Sequence, residues 1–174
     1  MGARARSREA AVWQTLAAKE RLCEELDSLV SSGQDANEVT TRSAAVPDQW
    51  QALPALPAAW ERKLAARRDA ALQALADPSV GNGYRTRIEQ GAGRRSEALL
   101  ELEMALGLES PAELQALRLA LQVRALRDRF QGAGAAAANS PAERLVAWCA
   151  ESGVASAPDR LRAQKVFAAL EKAR

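Results

Sequence analysis

The sequence contains no histidine, and this absence excludes several kinds of catalytic site. Histidine is the commonest general base, the partner of serine and cysteine nucleophiles, and a usual ligand of zinc. Paired glutamates occur at helical spacing, at Glu20 and Glu24 and at Glu97 and Glu101, but di-iron bundles combine such glutamates with a Glu-x-x-His motif. We therefore predict no catalytic residue, no metal site and no cofactor, and we expect a protein that is not an enzyme.

Aromatic residues are also scarce, at 4% of the 174 residues, and β-branched residues are few. Alanine, leucine, arginine, glutamate and glutamine dominate instead, and this composition favours helix almost everywhere. No apolar run approaches the roughly 20 residues that span a bilayer. The two cysteines, Cys23 and Cys149, lie among apolar helical positions. We therefore predict an all-α cytoplasmic protein that has reduced thiols and does not enter a membrane.

Two glycine-rich stretches invite comparison with phosphate-binding loops, but neither has the required context. Gly81-Asn82-Gly83 and Gly91-Ala92-Gly93 do not follow a predicted strand, and neither leads into Gly-Lys-Ser or Gly-Lys-Thr. We interpret both as interruptions of helical structure, with a flexible turn at Gly81–Gly83 and a gap or kink at Gly91–Gly93. No small-molecule substrate is indicated.

The apolar spacing divides the first part of the chain into three helices. It predicts one long helix over Ser7–Ser32. Asp35 can cap a second helix, which should break or kink at Pro47 because an interior proline removes a hydrogen bond and clashes with the preceding turn. A third helix should cover Ala58–Ala76. We expect the stems of its Arg67 and Arg68 to cover the apolar edge while their charged ends reach solvent.

The segment Pro111–Gln131 is predicted to be the central helix of the fold. Ser110 can cap it, proline suits its first position, and Glu113 can complete a capping box. At about 100° per residue its apolar residues occupy two almost opposite sides: Leu114, Leu117 and Leu121 on one, and Leu119, Val123, Leu126 and Phe130 on the other. A helix with two apolar faces must be covered twice, so we expect other helices to sandwich it.

A run of glycine and alanine after this segment marks the clearest boundary in the chain. We predict a helical bundle domain over residues 1–131, a Gly/Ala-rich linker over 132–140 and a C-terminal helical hairpin over 141–174. Ser140 and Ser156 can cap the two helices of the hairpin. Because these helices are too small to be stable alone, they should pack onto the main domain or onto a partner. The predicted fold is an antiparallel helical bundle with a long N-terminal helix and this hairpin.

Charge is unevenly distributed, although the formal net charge is only +2. Residues 62–95 carry eight basic side chains against three acidic ones, and residues 96–113 carry five glutamates and no basic residue. The two segments could neutralise each other across a helix pair. Alternatively, the arginines beside Tyr84 form a patch that contacts RNA or ribosomal phosphates: Arg85, Arg87, Arg94 and Arg95.

Several stretches resemble the bacterial family that carries the domain of unknown function 349. Trp50-x-x-Leu53-Pro54…Pro57…Trp60-x-x-x-Leu64 is similar to that domain's tryptophan-and-proline helix junction, and Arg95 through Leu126, with Gly107 and Ser110-Pro111, is similar to its tail. Where the family has phenylalanines after the junction, this chain has Leu64, Leu72 and Leu75. The resemblance implies a helical, cytoplasmic, bacterial protein that is a terminal or shortened member. It supplies no catalytic residue, cofactor or substrate.

The function that these observations favour is a non-enzymatic helical interaction or scaffold module that binds a protein partner or itself. The expected interface is an apolar side of the long first helix, or the hairpin with its Trp148 and Phe167. The alternative is an RNA- or ribosome-associated protein whose arginine patch binds phosphates, with an affinity that falls steeply with salt.

Overall fold

The computed structural model describes residues 2–132 and 140–172, with side chains from residue 8 onward. These residues form seven α-helices and no strand, so the predicted all-α bundle is confirmed. The helices are α1 (Gly2–Ser31), α2 (Ala36–Ala52), α3 (Ala58–Ala76), α4 (Pro78–Ala105), α5 (Gln115–Phe130), α6 (Pro141–Ala150) and α7 (Ala157–Lys172), with a short 3₁₀ turn at Ala112–Leu114. Most of the predicted linker lies outside the described residues.

Capping side chains set several helix starts where the sequence predicted them. The Asp35 carboxylate accepts from the Asn37 backbone N–H at 2.7 Å, which begins α2. Ser140 and Glu143 form a complete capping box at the start of α6, each side chain bonding the backbone N–H of the other. Local sequence therefore determines these boundaries.

Helix α2 continues through Pro47 to Ala52, so the expected break is absent. Val46 is fully buried and Trp50 is nearly so, which places one face of this turn in the core. The Trp50 indole also donates to the Glu61 carboxylate at 2.8 Å. These contacts offset the single backbone hydrogen bond that proline cannot make.

Helix α4 is likewise continuous, so the predicted turn at Gly81–Gly83 is wrong, and there is no gap at Gly91–Gly93, where a gap or kink was predicted. Two of these glycines serve close packing. A Cβ on Gly91 would lie 1.7 Å from the Ser152 carbonyl oxygen, and a Cβ on Gly81 would lie 3.2 Å from the Ala74 carbonyl oxygen. Glycine is present here because a neighbouring backbone approaches the helix.

Helices α1, α3 and α4 form the centre of the bundle, and the C-terminal helices α6 and α7 pack onto them. One apolar cluster joins five helices through fully buried side chains: Leu16, Leu64, Leu102, Leu145 and Val166. A second cluster lies between α2 and the facing parts of α1, α3 and α4. Within the described residues no helix is both long and apolar enough to cross a membrane.

The prediction of a central helix over Pro111–Gln131 is wrong. Helix α5 packs mainly against α4 at the edge of the bundle, and Leu121 is its only buried residue. The apolar periodicity was real, but it did not specify how many neighbours would cover the helix. The other half of its apolar surface faces outward.

Candidate interaction surface

The outward face of α5 carries a row of exposed apolar side chains that we call the α5 stripe. It consists of Leu119, Val123, Leu126 and Phe130, which are 62%, 49%, 52% and 89% exposed. Their spacing of four, three and four residues places them on one side of the helix. Single exposed leucines are ordinary on protein surfaces, but a contiguous apolar row is typical of an interaction site.

Polar contacts attach the opposite face of α5 to the bundle. Arg124 donates to Glu97 at 3.1 Å and to Glu101 at 3.0 Å, both on α4. Arg118 donates to the Leu108 carbonyl oxygen at 3.0 Å. Because these contacts and the buried Leu121 lie away from the α5 stripe, the helix is held with the stripe facing solvent.

The predicted capping box at Ser110 does not form. The Ser110 hydroxyl donates to Glu103 at 2.8 Å and accepts from Arg118 at 2.7 Å, and no side chain caps the turn at Ala112–Leu114. Hydrogen bonds to Glu103 on α4 and to Arg118 on α5 replace the local hydrogen bond with which Ser110 would cap the following helix. The sequence Ser-Pro-Ala-Glu thus forms a capping box at Ser140 and a different arrangement at Ser110.

The four candidate nucleic-acid arginines are not gathered on one surface. Arg95 is 2% exposed and is bonded to Glu20 and Glu24, so it does not belong to an exposed patch. Arg85 donates to the Val30 carbonyl oxygen and to Asn82. At about 100° per residue it lies on the side of α4 opposite Arg87 and Arg94.

The two remaining candidates have partners within the chain. The Arg87 guanidinium lies 5.8 Å from the centre of the Tyr84 ring, and Arg94 donates to Glu151 at 3.0 Å through Nε.

Three glutamates of residues 96–113 bind arginines of other helices and not those of the basic segment over residues 62–95. Arg124 on α5 binds Glu97 and Glu101, and Arg162 on α7 binds Glu103 at 2.8 Å.

The aromatic residues expected at a partner interface are largely covered. Trp148 is 3% exposed, and its indole donates to the Arg95 carbonyl oxygen at 3.1 Å. Phe167 is half-buried and packs against the main core cluster. The apolar side of α1 is also in the core, so the exposed surface that we predicted on α1 or on the hairpin lies on α5 instead.

Beneath α6 and α7 lies a buried charge cluster, which consists of Glu20, Glu24, Asp27, Arg67 and Arg95. Arg67 donates to Asp27 at 2.8 and 3.0 Å, and its side chain is wholly buried. The expectation that this arginine reaches solvent is therefore wrong. Arg95 binds Glu20 and Glu24, and its guanidinium carbon lies 3.9 Å from the centre of the Trp148 ring.

The charge cluster binds the connection between α6 and α7. The Gly153 N–H donates to Asp27 at 2.9 Å, and the Gly153 carbonyl oxygen accepts from Arg67 at 3.0 Å and from Arg95. Gly153 has a φ of 154°, a region that favours glycine, and a Cβ there would lie 3.0 Å from the Ala92 backbone nitrogen. The loop is thus fixed to α1, α3 and α4 by charged hydrogen bonds.

Burial alters the acid–base properties of groups near this cluster. Burial raises the pKa of Glu20 above its usual value of 4.5, although attraction to Arg95 and Arg67 opposes the rise. It also raises the pKa of the Cys23 thiol to about 12 and that of Cys149 well above its usual value. Both thiols are therefore protonated and unreactive while the protein is folded.

A cavity of about 620 Å³ lies beside the charge cluster, between α1, α2 and α7. Four of its charged lining residues form two ion pairs, since Arg42 donates to Glu25 at 2.8 Å and Arg160 donates to Glu24 at 3.0 Å. Among the residues the structure describes, no group of three or more acidic or cysteine side chains is placed to hold a metal. The cavity therefore does not suggest a particular reaction.

No protein-family model, curated protein or solved structure matches this chain. The resemblance to the domain of unknown function 349 therefore stays a prediction. The basis for assigning a function is the chain's own surface, on which the α5 stripe holds four of the six exposed large apolar side chains among the described residues.

The sequence pattern contained the α5 stripe but assigned it the wrong environment. All four of its residues were recognised as one apolar side of a two-sided helix. One sequence feature does indicate that this helix lies apart from the others. Gly107 precedes it and the Gly/Ala run from Gly132 follows it, so breaks flank it on both sides. Arg67 and Arg95 gave no comparable signal, because their carboxylate partners lie 40 or more residues away in the sequence.

Proposed function

We propose that this chain is a non-enzymatic helical interaction module that binds a protein partner through the α5 stripe. The observation that carries the proposal is the exposure of four apolar side chains in one row, from Leu119 to Phe130. The remaining large apolar side chains of the described helices are mostly in the core, so this row is the surface that has most to gain from being covered.

The free energy available from this row is comparable with the cost of association. The exposed fractions of the four side chains add up to about two and a half whole side chains. Burying one such side chain contributes roughly 1.5–3 kcal/mol, so covering the row contributes roughly 4–7 kcal/mol from this chain alone. A partner that contributes a similar apolar face would bring the total above the lower estimates of the cost of association.

We further propose that the protein acts in a reducing compartment, the cytoplasm. This placement is supported by Cys23 and Cys149, which are free and buried. The Cys23 thiol lies 3.6 Å from the Leu64 carbonyl oxygen, in a setting typical of a packed core thiol.

The alternative is that Arg85, Arg87 and Arg94 bind RNA or ribosomal phosphates. It has less support, because Arg85 lies on the opposite side of α4 from the other two, and because Arg94 is bonded to Glu151. Phosphate binding through these groups would release counterions and weaken steeply with salt. Apolar binding through α5 would change little with salt.

Site-specific photocrosslinking tests the proposal. A photoreactive residue at Val123 should give a discrete crosslinked product with a protein in the cell, both at low salt and at about 0.5 M salt. The matched control is the same residue at Leu161, an exposed leucine on α7 that is 61% exposed but stands alone. A Leu119→Gln substitution should abolish the product from position 123.

Three results would argue against the proposal. Equal crosslinking from both positions would mean that the contact is nonspecific. No product from position 123 would mean that the stripe has no protein partner. Products that consist of RNA and disappear at high salt would favour the arginine alternative.

A further inference from the structure

We infer that the α5 stripe is covered by the same stripe of a second copy of this chain, with the two α5 helices antiparallel. This inference rests on the proposed function of α5 as a docking helix, and it names the partner. It draws on three features of α5: the spacing of its apolar residues, the distribution of its charges, and the direction in which the stripe faces.

The apolar spacing is that of a helix built to pair with another helix. Starting at Ala116, which is also exposed, apolar residues recur after three, four, three and four residues: Ala116, Leu119, Val123, Leu126 and Phe130. Alternating steps of three and four define the a and d positions of a coiled coil, where side chains of one helix insert between those of the other. The row would therefore match a copy of itself.

The direction of the stripe leaves room for a second copy. Leu121 and Arg124 attach α5 to α4 on the side away from the stripe. The side on which a second α5 would lie carries the exposed stripe, and the contacts to α4 lie on the other side. Each α5 would then be covered on both of its apolar sides. Its own α4 covers the side of Leu121, and the α5 of the second copy covers the stripe.

The charges of α5 favour an antiparallel arrangement. Glu113 lies in the 3₁₀ turn just before α5, whereas Arg127 and Arg129 lie in the last turn of α5. A parallel pair would bring the arginines of both copies together at one end. An antiparallel pair places Arg127 of each copy beside Glu113 of the other, and both residues are exposed.

In one alignment of the two helices, the facing residues match both in size and in charge. When Leu119 faces Val123 of the second copy, Ala116 faces Leu126 and Glu113 lies near Arg127 of that copy. A small residue then lies opposite a large one, and one flank of the pair carries both of the symmetry-related contacts between Glu113 and Arg127. The contact is isologous, as expected for the twofold dimers that dominate among homo-oligomers.

The area of the contact predicts a reversible dimer. The exposed parts of the stripe amount to on the order of 500 Å² per copy, which gives about 1,000 Å² in all and lies at the lower limit for a specific interface. We therefore expect dissociation in the micromolar range rather than an obligate dimer.

Sedimentation velocity of the full chain, over a concentration range from about 1 to 200 μM, tests the inference. The wild-type chain should pass from monomer to dimer. Leu126→Asp should weaken the dimer at least about tenfold, because it places a charge in the apolar contact. Leu161→Asp, which changes an exposed leucine outside the stripe, should dimerise like the wild type, and circular dichroism should show that both variants remain folded.

Charge reversal tests the orientation. Glu113→Arg and Arg127→Glu should each weaken dimerisation by about three- to tenfold, and the double variant should regain an affinity within about threefold of the wild type. Failure of the double variant to recover would overturn the antiparallel arrangement.

The failure of this inference is distinguishable from the failure of the proposed function. A chain that stays monomeric at every concentration, or a dimer unaffected by Leu126→Asp, overturns pairing between copies. If position 123 still crosslinks to a different protein, the docking function of α5 stands with another partner. If both experiments give nothing, both the inference and the proposed function are overturned.

Discussion

Substitution of Gly91 by alanine should destabilise the protein, although alanine normally stabilises the interior of a helix. Gly91 lies in the middle of α4, where alanine would ordinarily be favoured by about 0.5–1 kcal/mol. A Cβ at this position, however, would lie 1.7 Å from the Ser152 carbonyl oxygen and 2.9 Å from the carbonyl carbon. Both neighbouring atoms belong to backbone, which cannot move aside by a change of rotamer.

The magnitude follows from the displacement that the new methyl group requires. An ordinary contact of 3.4 Å means that α4 and the loop after α6 must separate by about 1.7 Å, the difference between 3.4 and 1.7. The loop is held by Gly153, whose N–H donates to Asp27 at 2.9 Å and whose carbonyl oxygen accepts from Arg67 at 3.0 Å. A separation of this size breaks such bonds.

We therefore expect Gly91→Ala to lower the free energy of unfolding by about 3–5 kcal/mol, from overpacking and from lost buried hydrogen bonds to charged groups. For a chain of this length, the melting temperature should fall by roughly 10 °C. Urea denaturation and thermal melting, both followed by circular dichroism, measure the two quantities.

Two glycines of the same helix provide matched controls. Gly83 and Gly93 have no atom within 4 Å of the position that a Cβ would occupy. Gly83→Ala and Gly93→Ala should therefore stabilise the protein by about 0.5–1 kcal/mol. If Gly91→Ala were as stable as Gly93→Ala, the close packing of the α6–α7 loop on α4 would be refuted.

Three further predictions concern buried and partly buried groups. Arg67→Met should destabilise the fold by about 3–5 kcal/mol in urea denaturation, because it leaves the buried Asp27 carboxylate without its ion pair; the control Arg68→Met, at a partly exposed neighbour, should cost less than about 1 kcal/mol. Partial burial would raise the pKa of Glu61, but hydrogen bonds lower it overall below its usual value of 4.5. The ionised Glu61 carboxylate therefore makes its full contribution to stability at neutral pH, and this contribution is lost as the pH falls through the lowered pKa. Glu61→Gln should thus reduce the loss of stability between about pH 7 and pH 3. Cys23, whose pKa burial raises to about 12, should react with a thiol reagent only after unfolding, and a fast reaction in native buffer would contradict its burial.

The confirmed and the wrong predictions differ in the range of the interactions involved. The start of α6 at Ser140 was predictable because both halves of its capping box lie within four residues of each other. Ser110 has the same local sequence, yet its hydroxyl bonds Glu103 and Arg118 in the folded chain. A local motif was therefore overridden where tertiary partners were in reach.

The helix breaks that we predicted from glycines and proline are absent for a related reason. Propensity treats Gly91 and Pro47 as weak points in a helix, and in isolation they are. In the fold, the backbone at Ser152 approaches Gly91, and the buried Val46 and Trp50 hold the turn that contains Pro47. Packing energy from distant segments outweighs the local penalty of about 1 kcal/mol for glycine and about 3 kcal/mol for proline.

The candidate surface was only half predictable. The sequence alone showed that α5 has two apolar sides, because helical periodicity places Leu119, Val123, Leu126 and Phe130 opposite Leu121. It did not show which side the bundle would cover. Periodicity describes a helix by itself, whereas burial depends on the helices that surround it.

The sequence by itself thus determined the all-α class, several helix starts and the absence of histidine chemistry, because composition and capping act within a few residues. Only the tertiary structure decided that Arg67 and Arg95 are buried and that α5 lies at the edge of the bundle. Charged side chains enter a core only when partners meet them there, and these partners are brought together by folding over tens of residues. The tertiary structure therefore also decided which apolar row faces solvent.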